Sequence, residues 1–200
     1  MRPYPPTYVM ENMLIQYIRS IVQVPPAEAE KLLDIGKPVT IRRGDYFLQE
    51  GQVPRKFAFV GKGLFRYLYI DAEGREYTRN FMPEQSFISA YSAMIRQKPS
   101  RVFIEALENS EILEMDYSRW QEVRKGHSCW DRFLIAMLES AFSTRESRER
   151  DLLLADAGER YNIFRADFPG LEKRVSQQLI ASYLGISPAS LSRLRKGSLR

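Results

Sequence analysis

The stretch from Ser176 to Lys196 constrains the fold more tightly than any other part of this 200-residue sequence. It reads as two short helices broken at Gly185. Ser176 can cap the first, because its hydroxyl accepts a bond from an unsatisfied backbone N–H. Ile180, Ala181 and Leu184 fall on one face at helical spacing, and Ala181 is small where two helices must approach. Gly185 sits where the chain turns and a positive φ is needed, and Ile186 plugs the turn. Ser187 caps the second helix. Pro188 takes its first position, where the missing N–H costs nothing. Leu191 and Leu194 face the first helix, which leaves Ala189, Ser190, Arg193 and Lys196 pointing outward. A recognition helix presents such positions to the major groove. The plainer alternative is a helical hairpin with a solvated basic face. The agreement of two caps, a small residue, a turn glycine, a plug and two leucines favours a DNA-binding helix-turn-helix.

Charge points the same way. Between Leu171 and Arg200 the basic residues Lys173, Arg174, Arg193, Arg195, Lys196 and Arg200 stand against one acid, Glu172. Six against one leaves +5, the formal charge of the whole chain. The basic excess therefore sits on the suspected reading end, where phosphate neutralisation needs it. Arg193 suits bidentate contact with a guanine edge. Ser187 and Ser190 suit phosphate or base, and Arg195, Lys196, Lys173 and Arg174 suit phosphate.

The single cysteine, Cys129, cannot form an internal disulfide and reads as buried packing in a reducing compartment. One histidine, His127, and one cysteine cannot build a His-rich metal site or a four-cysteine cluster. Glu76, Glu84 and Glu105 show no paired spacing for acid–base chemistry, so no enzyme is expected. No apolar run approaches a membrane span, and the N-terminus lacks a signal-peptide layout. A cytoplasmic protein is expected.

Along the chain, residues 1–35 read as helical, with a second short helix after Pro25-Pro26. From Val39 to Met115 short apolar or alternating runs are punctuated by glycine and proline, as in an antiparallel roll or jelly roll. Residues 128–155 lack proline and glycine. As one helix they would run ~42 Å. Its stripe of Trp130, Phe133, Leu134, Met137, Leu138, Ala141 and Phe142 has near-heptad spacing. It could pack on its own roll or pair with a second copy. Two-fold dimers read half-sites about 34 Å apart, which favours the dimer through Trp130, Leu134, Met137 and Ala141. Arg145–Asp151 reads as a solvated mixed-charge patch. The expected divisions are 1–126 for N-terminal helices and sensor roll, 127–156 for the dimerisation helix, and 157–200 for the helix-turn-helix. The fold class is α+β.

A β-roll, a long helix and a C-terminal helix-turn-helix, in that order, resemble the Crp/Fnr family of bacterial transcription regulators. The markers are Arg43-Gly44-Asp45 with Gln49-Glu50-Gly51, Phe59-Val60-Gly61-Lys62-Gly63, Asp71–Glu76, Phe87-Ile88 and the helix-turn-helix itself. The wording is similar to that of short Bacteroidetes-type members. The resemblance implies a homodimer on a near-palindromic site in double-stranded DNA, with RNA polymerase as a further partner. Cyclic-nucleotide-binding members carry Gly-Glu-Leu after the Phe-Ile pair and close with Arg-Ser or Arg-Thr, then Ala. Here the opening reads Ser89-Ala90-Tyr91 and the close Ser100-Arg101-Val102. Ala90 cannot accept the ribose hydroxyl, and Ser100 cannot replace the guanidinium that takes phosphate. Arg101 is one residue off, which on a strand reverses its face.

The departures argue against cyclic AMP and leave the effector unnamed. Tyr67, Tyr77, Phe87, Tyr91 and Phe103 are either core or, with Ser89, Ala90, Ser100 and Arg101, the lining of another effector pocket. At the DNA end only Arg193 matches the family's reading residues; Pro188 and Ala189 stand at the other two positions. The sequence ends at Arg200, before the β-hairpin wing that often follows. The leading expectation is a DNA-binding transcription regulator. The alternative is a cyclic-nucleotide or other small-molecule sensor, or an interaction module, with weak or lost DNA binding.

Overall fold

The structure is a computed structural model that describes residues 6–197. Arg200 of the basic end lies outside the described residues, as do residues 1–5 of the expected N-terminal helix. Helices α1 (Pro6–Arg19) and α2 (Pro26–Asp34) lead into β1 (Gly36–Ile41), β2 (Tyr46–Leu48), β3 (Lys56–Lys62), β4 (Phe65–Ile70), β5 (Glu76–Met82) and β6 (Phe87–Ile88). A short helix, α3 (Tyr91–Arg96), precedes β7 (Phe103–Ala106) and β8 (Ser110–Asp116). The chain then becomes helical: α4 (Tyr117–Gly126), α5 (Cys129–Leu154), α6 (Ala157–Asp167), α7 (Gln177–Leu184) and α8 (Pro188–Arg195). A 3-10 turn, Leu171–Lys173, precedes α7. The α+β class, the roll, the long helix and the helix-turn-helix are all present in the expected order.

Two four-stranded antiparallel sheets form the roll, in the orders β1-β8-β3-β6 and β2-β7-β4-β5. The middles of β3 and β8 in the first sheet are buried on both faces, which explains the unbroken run Phe57-Ala-Phe-Val60. Ala58, Val60, Ile88 and Ile112 point into the roll. Phe57, Phe59, Leu113, Met115 and Phe87 point the other way, under α1, α2, α4 and the start of α5. Alternation on a pleated strand assigns neighbours to opposite faces, so a strand covered on both sides must be apolar throughout. The turn after β3 needs Gly63. Its φ is +105°, and a Cβ there would lie 2.2 Å from Ser110 Oγ. β6 is only two residues long, too short to show any periodicity in the sequence.

The chain packs as two compact units. One comprises residues up to 68 together with 81–138, and the other joins 69–80 to the residues from 139 onward. The first is locked by Trp130, which is fully buried. Its indole N–H donates to Glu28 Oε2 at 3.0 Å, and Lys31 Nζ donates to Glu28 Oε1 at 2.6 Å. Trp130 also meets Trp120 edge-on at 5.4 Å. This joins α2, α4 and α5. The Lys31 and Trp130 hydrogen bonds hold the Glu28 carboxyl below its ordinary value, against the opposing effect of burial.

Glu28→Ala leaves the buried Trp130 N–H without its acceptor, which costs about 1–3 kcal/mol. Urea unfolding is expected to show that loss. Lys31→Ala is expected to cost less, because its ammonium is exposed. The Glu28 contribution is complete above the unfolded carboxylate pKa of about 4.3 and is lost as pH falls through the lower folded value. Glu28→Ala therefore flattens the acid limb of the stability–pH curve below about pH 4.3.

Candidate nucleic-acid interface

Each local signal between Ser176 and Lys196 has a structural counterpart. Ser176 Oγ accepts the Leu179 N–H at 3.4 Å and starts α7. Gly185 ends it with φ of 69°, and the Ile186 N–H returns to Ala181 O at 3.0 Å. Ser187 Oγ accepts the Ser190 N–H at 3.1 Å, and Pro188 opens α8. Ile180, Ala181, Leu184 and Leu191 are buried. Ser187, Ala189, Arg193, Arg195 and Lys196 are exposed, and Ser190 is half-exposed. Lys173 and Arg174 are exposed at the turn before α7.

Two arginines hold the end of α7. Arg148 lies over the Tyr183 ring at 3.6 Å and donates to the Tyr183 carbonyl. Arg160 Nε donates to Leu184 O at 3.1 Å, and its Nη1 donates to Ala155 O at 2.6 Å. The last carbonyls of a helix lack intrahelical donors, so these cations satisfy α7 just before its turn. Phe164 and Phe168 complete an aromatic group with Tyr183. Reading residues 145–151 as a solvated patch is therefore corrected at Arg148. Its charge sits half-buried against Tyr183, 35 positions away, and burial lowers its pKa. No local pattern marks that pairing.

Not every basic side chain is equally available. Arg195 Nε lies 3.9 Å from Glu172 Oε1, and Arg165 Nε lies 3.5 Å from Glu172 Oε2. Tyr161 also donates to Glu172, at 2.5 Å. The one acid of the basic end thus partly offsets Arg195.

The expected effector residues are brought together only in part, at Tyr67, Ser89 and Ala90. Tyr67 points into the roll; its hydroxyl donates to Ser89 O at 2.9 Å and accepts the Ser89 N–H at 2.7 Å. Ala90 is buried beside it as the residue before α3. Phe87 instead joins the helix-side core, 5.3 Å from Phe59, because its strand neighbour Ile88 takes the inward face. Tyr77 is exposed in the β4–β5 hairpin, donating to Asp71 Oδ2 at 2.9 Å. Arg101 is exposed. Ser100 is buried, with its hydroxyl donating to Val102 O at 2.9 Å and accepting the Val102 N–H at 3.1 Å. Tyr91 is half-buried, and Phe103 packs on Tyr46 at 5.6 Å.

These positions do not fit a cyclic nucleotide. Phe65, Tyr67, Ile88, Val102, Ile104 and Ile112 fill the interior with apolar groups. Arg66 is engaged by Glu105 at 2.5 Å, and strand alternation turns it from the side of Tyr67. Ser89 Oγ is buried without a hydrogen-bond partner among the described residues. A single hydroxyl does not replace a phosphate-binding guanidinium.

On α5, Trp130 cannot form the expected dimer seam, because it is wholly inside its own core. Met137 also turns inward, where Sδ accepts a bond from the Tyr17 hydroxyl at 3.3 Å. Leu134 is half-buried and Ala141 exposed. The exposed apolar side chains beside them are Ile135, Leu138 and Phe142, the last 68% exposed. Two adjacent stripes therefore share this helix, one for its own core and one facing outward.

Cys129 is buried, which raises its thiol pKa, and its N–H donates to His127 Nδ1 at 3.1 Å. Among the described residues no group of three His, Cys, Asp or Glu could hold a metal ion. Nor is any helix there long and apolar enough to cross a membrane.

The cyclic nucleotide-binding domain family matches residues 38–127. No curated protein matches the chain. Among solved structures, the c-di-GMP responsive global regulator CLP of Xanthomonas campestris is similar, with TM-score 0.68 at 16% identity over 86% of this chain and 91% of that one. FixK2 from Bradyrhizobium japonicum is similar with TM-score 0.70 at 18% identity, over 82% of this chain and 84% of that one. A protein assigned to the crp/fnr family of transcriptional regulators in Eubacterium rectale gives TM-score 0.69 at 16% identity, over 87% and 83%.

A ligand that binds only the folded protein raises its stability in proportion to the logarithm of its concentration. Cyclic AMP at millimolar concentration is expected to leave the Tm unchanged in scanning calorimetry. A rise of several degrees would mean that the roll admits it after all.

Proposed function

We propose a homodimeric transcription regulator, a reading supported by the match of residues 38–127 to the cyclic nucleotide-binding domain family and by the likeness of the fold to Crp/Fnr regulators. It reads a near-palindromic site in double-stranded DNA through α8. The observation that carries this is the division of α8 into a buried Leu191 side and an exposed side bearing Ala189, Arg193 and Lys196. Arg193 reads a guanine edge, and the Ala189 methyl suits a thymine methyl. Lys196, Lys173 and Arg174 neutralise phosphates, with Arg195 contributing less because of Glu172.

The roll works without cyclic AMP, and the role is regulatory, not catalytic. DNA reading places the protein in the cytoplasm, with RNA polymerase as the partner a regulator acts on. A second copy packs along the outward face of α5, through Leu134, Ile135, Leu138, Ala141 and Phe142. Placing two reading helices about 34 Å apart, one turn of the duplex, requires such a pair.

Selection from a randomised duplex pool at ~150 mM salt suppresses non-specific binding. It is expected to return a two-fold-symmetric site. Arg193→Ala should lose about 1–3 kcal/mol of discrimination at one base pair per half-site. Lys196→Ala should weaken all sequences alike and lower the salt slope by about one. Equal loss on selected and random DNA from Arg193→Ala would remove Arg193 as a base reader.

The dimer has its own test. Phe142→Glu places a charge on the outward face of α5 without entering the core. Sedimentation velocity is expected to show a monomer with near-native helix content by circular dichroism. A dimer that survives the change would move the interface elsewhere.

A further inference from the structure

On the outer side of α8 three polar side chains follow at intervals of three: Ser187, Ser190 and Arg193. That spacing makes them neighbours on a helix. Arg193 Nη2 lies 3.3 Å from Ser190 Oγ, and Ser190 Oγ lies 3.0 Å from Ser187 Oγ. Ser187 Oγ also accepts the Ser190 backbone N–H at 3.1 Å, which fixes it as the cap of the helix. We infer that Ser190 is a positioning residue, whose hydroxyl holds the Arg193 guanidinium in the orientation that reads a guanine. The inference rests on the DNA-reading proposal.

The direction of the chain follows from chemistry. A guanidinium only donates, so Ser190 Oγ accepts from Arg193. The Ser190 proton is then left for Ser187 Oγ. Donation thus runs from Arg193 to Ser190 to Ser187 and ends at an atom that the helix cap already immobilises. Hydrogen bonds aligned in this way polarise one another. The remaining guanidinium N–H groups stay available for the O6 and N7 of guanine.

The consequence concerns discrimination more than affinity. A free arginine on a helix surface samples many rotamers, and binding must freeze one of them. Bidentate contact with guanine needs the plane of the guanidinium aligned with the base. A phosphate contact has no such demand. Ser190 therefore acts where geometry matters and leaves the electrostatic attraction untouched. It also ceases to be an independent base reader, since its oxygen is committed to Arg193.

The test is clean because the cap uses the backbone N–H of Ser190, which Ser190→Ala retains. The probe is the duplex selected by the wild-type protein, compared with the same duplex altered at the base pair that Arg193→Ala ceases to discriminate, and with random DNA. Losing one hydrogen bond to a positioned group corresponds to roughly five-fold. Ser190→Ala is expected to lower discrimination at that pair by about this factor, with random-DNA affinity and salt slope unchanged. Ser190→Thr, which keeps the hydroxyl, should restore it. Without DNA, the Arg193 Nε–H order parameter from NMR relaxation should fall in Ser190→Ala and recover in Ser190→Thr.

Unchanged discrimination in Ser190→Ala overturns the inference, and so does an unchanged order parameter. Equal weakening on selected and random DNA overturns it too, because that pattern marks a structural role. Failure of the wild-type protein to select any site overturns the DNA-reading proposal, and this inference falls with it. The two failures are thereby distinguished.

Discussion

In the sheet β1-β8-β3-β6 the middles of β3 and β8 are apolar on both faces, and most of the first compact unit follows from that constraint. One face closes the roll; the other must be covered, and helices α1, α2, α4 and the start of α5 cover it. Covering it draws Trp130 inward until its N–H has no access to water. Glu28 supplies the acceptor that makes such burial tolerable, since an unsatisfied indole N–H there would oppose folding. Anchoring Trp130 fixes the rotation of α5 about its own axis. Phe133 and Met137 then turn to the core and Leu138 and Phe142 turn away. Which apolar side chains of α5 stay exposed is thus set by a requirement of the core.

The same constraint decides what the roll can hold. Phe87 and Ile88 are consecutive, and only one can point inward. Ile88 does so, while Phe87 joins Phe57, Phe59, Phe133 and Tyr17 on the helix side. Phe65 and Tyr67, from the opposite sheet, then occupy the interior, with the Tyr67 hydroxyl satisfied by the Ser89 backbone. An interior filled by apolar side chains, with the Ser89 hydroxyl as a buried polar group left over, has little to offer a charged guest. The roll fold is thus present with an interior occupied by packing.

What the sequence discloses follows the range of the interactions. Caps, turn glycines and proline at a helix start act over three or four residues, so local spacing alone assigns Ser176, Gly185, Ser187 and Pro188 their places. The punctuated strands of the roll are legible for the same reason. Long-range choices are not. Trp130 and Phe142 look alike in a heptad pattern, and only the position of Glu28, 102 residues away, separates them. Arg148 looks like its charged neighbours until Tyr183 lies beneath it. Tyr77 and Tyr67 are both strand aromatics, yet one ends exposed in a hairpin and the other in the core.

In the second compact unit the β4–β5 hairpin has a supporting part. β5 is an edge strand, so its outward N–H and C=O groups lack a strand partner. On α7, Ser182 Oγ accepts the Thr78 N–H at 2.8 Å and donates to Glu76 O at 3.3 Å. One hydroxyl thus meets two groups of the same edge, two residues apart, as a neighbouring strand would. The hairpin tip is itself stiff. Asp71 accepts from the backbone of Glu73 and Arg75 and from the side chains of Arg75 and Tyr77. Against the opposing effect of desolvation, bonds from Arg75 and Tyr77 hold its carboxyl at about 2. Ser182 is itself half-exposed on α7, while Ile180, Ala181 and Leu184 are buried. The first helix of the pair therefore answers to three supports at once: the hairpin through Ser182, the long helix through Arg148, and α6 through Arg160. Because α8 follows α7 across the single turn at Gly185, these three supports also fix the orientation of α8 and of its exposed Arg193.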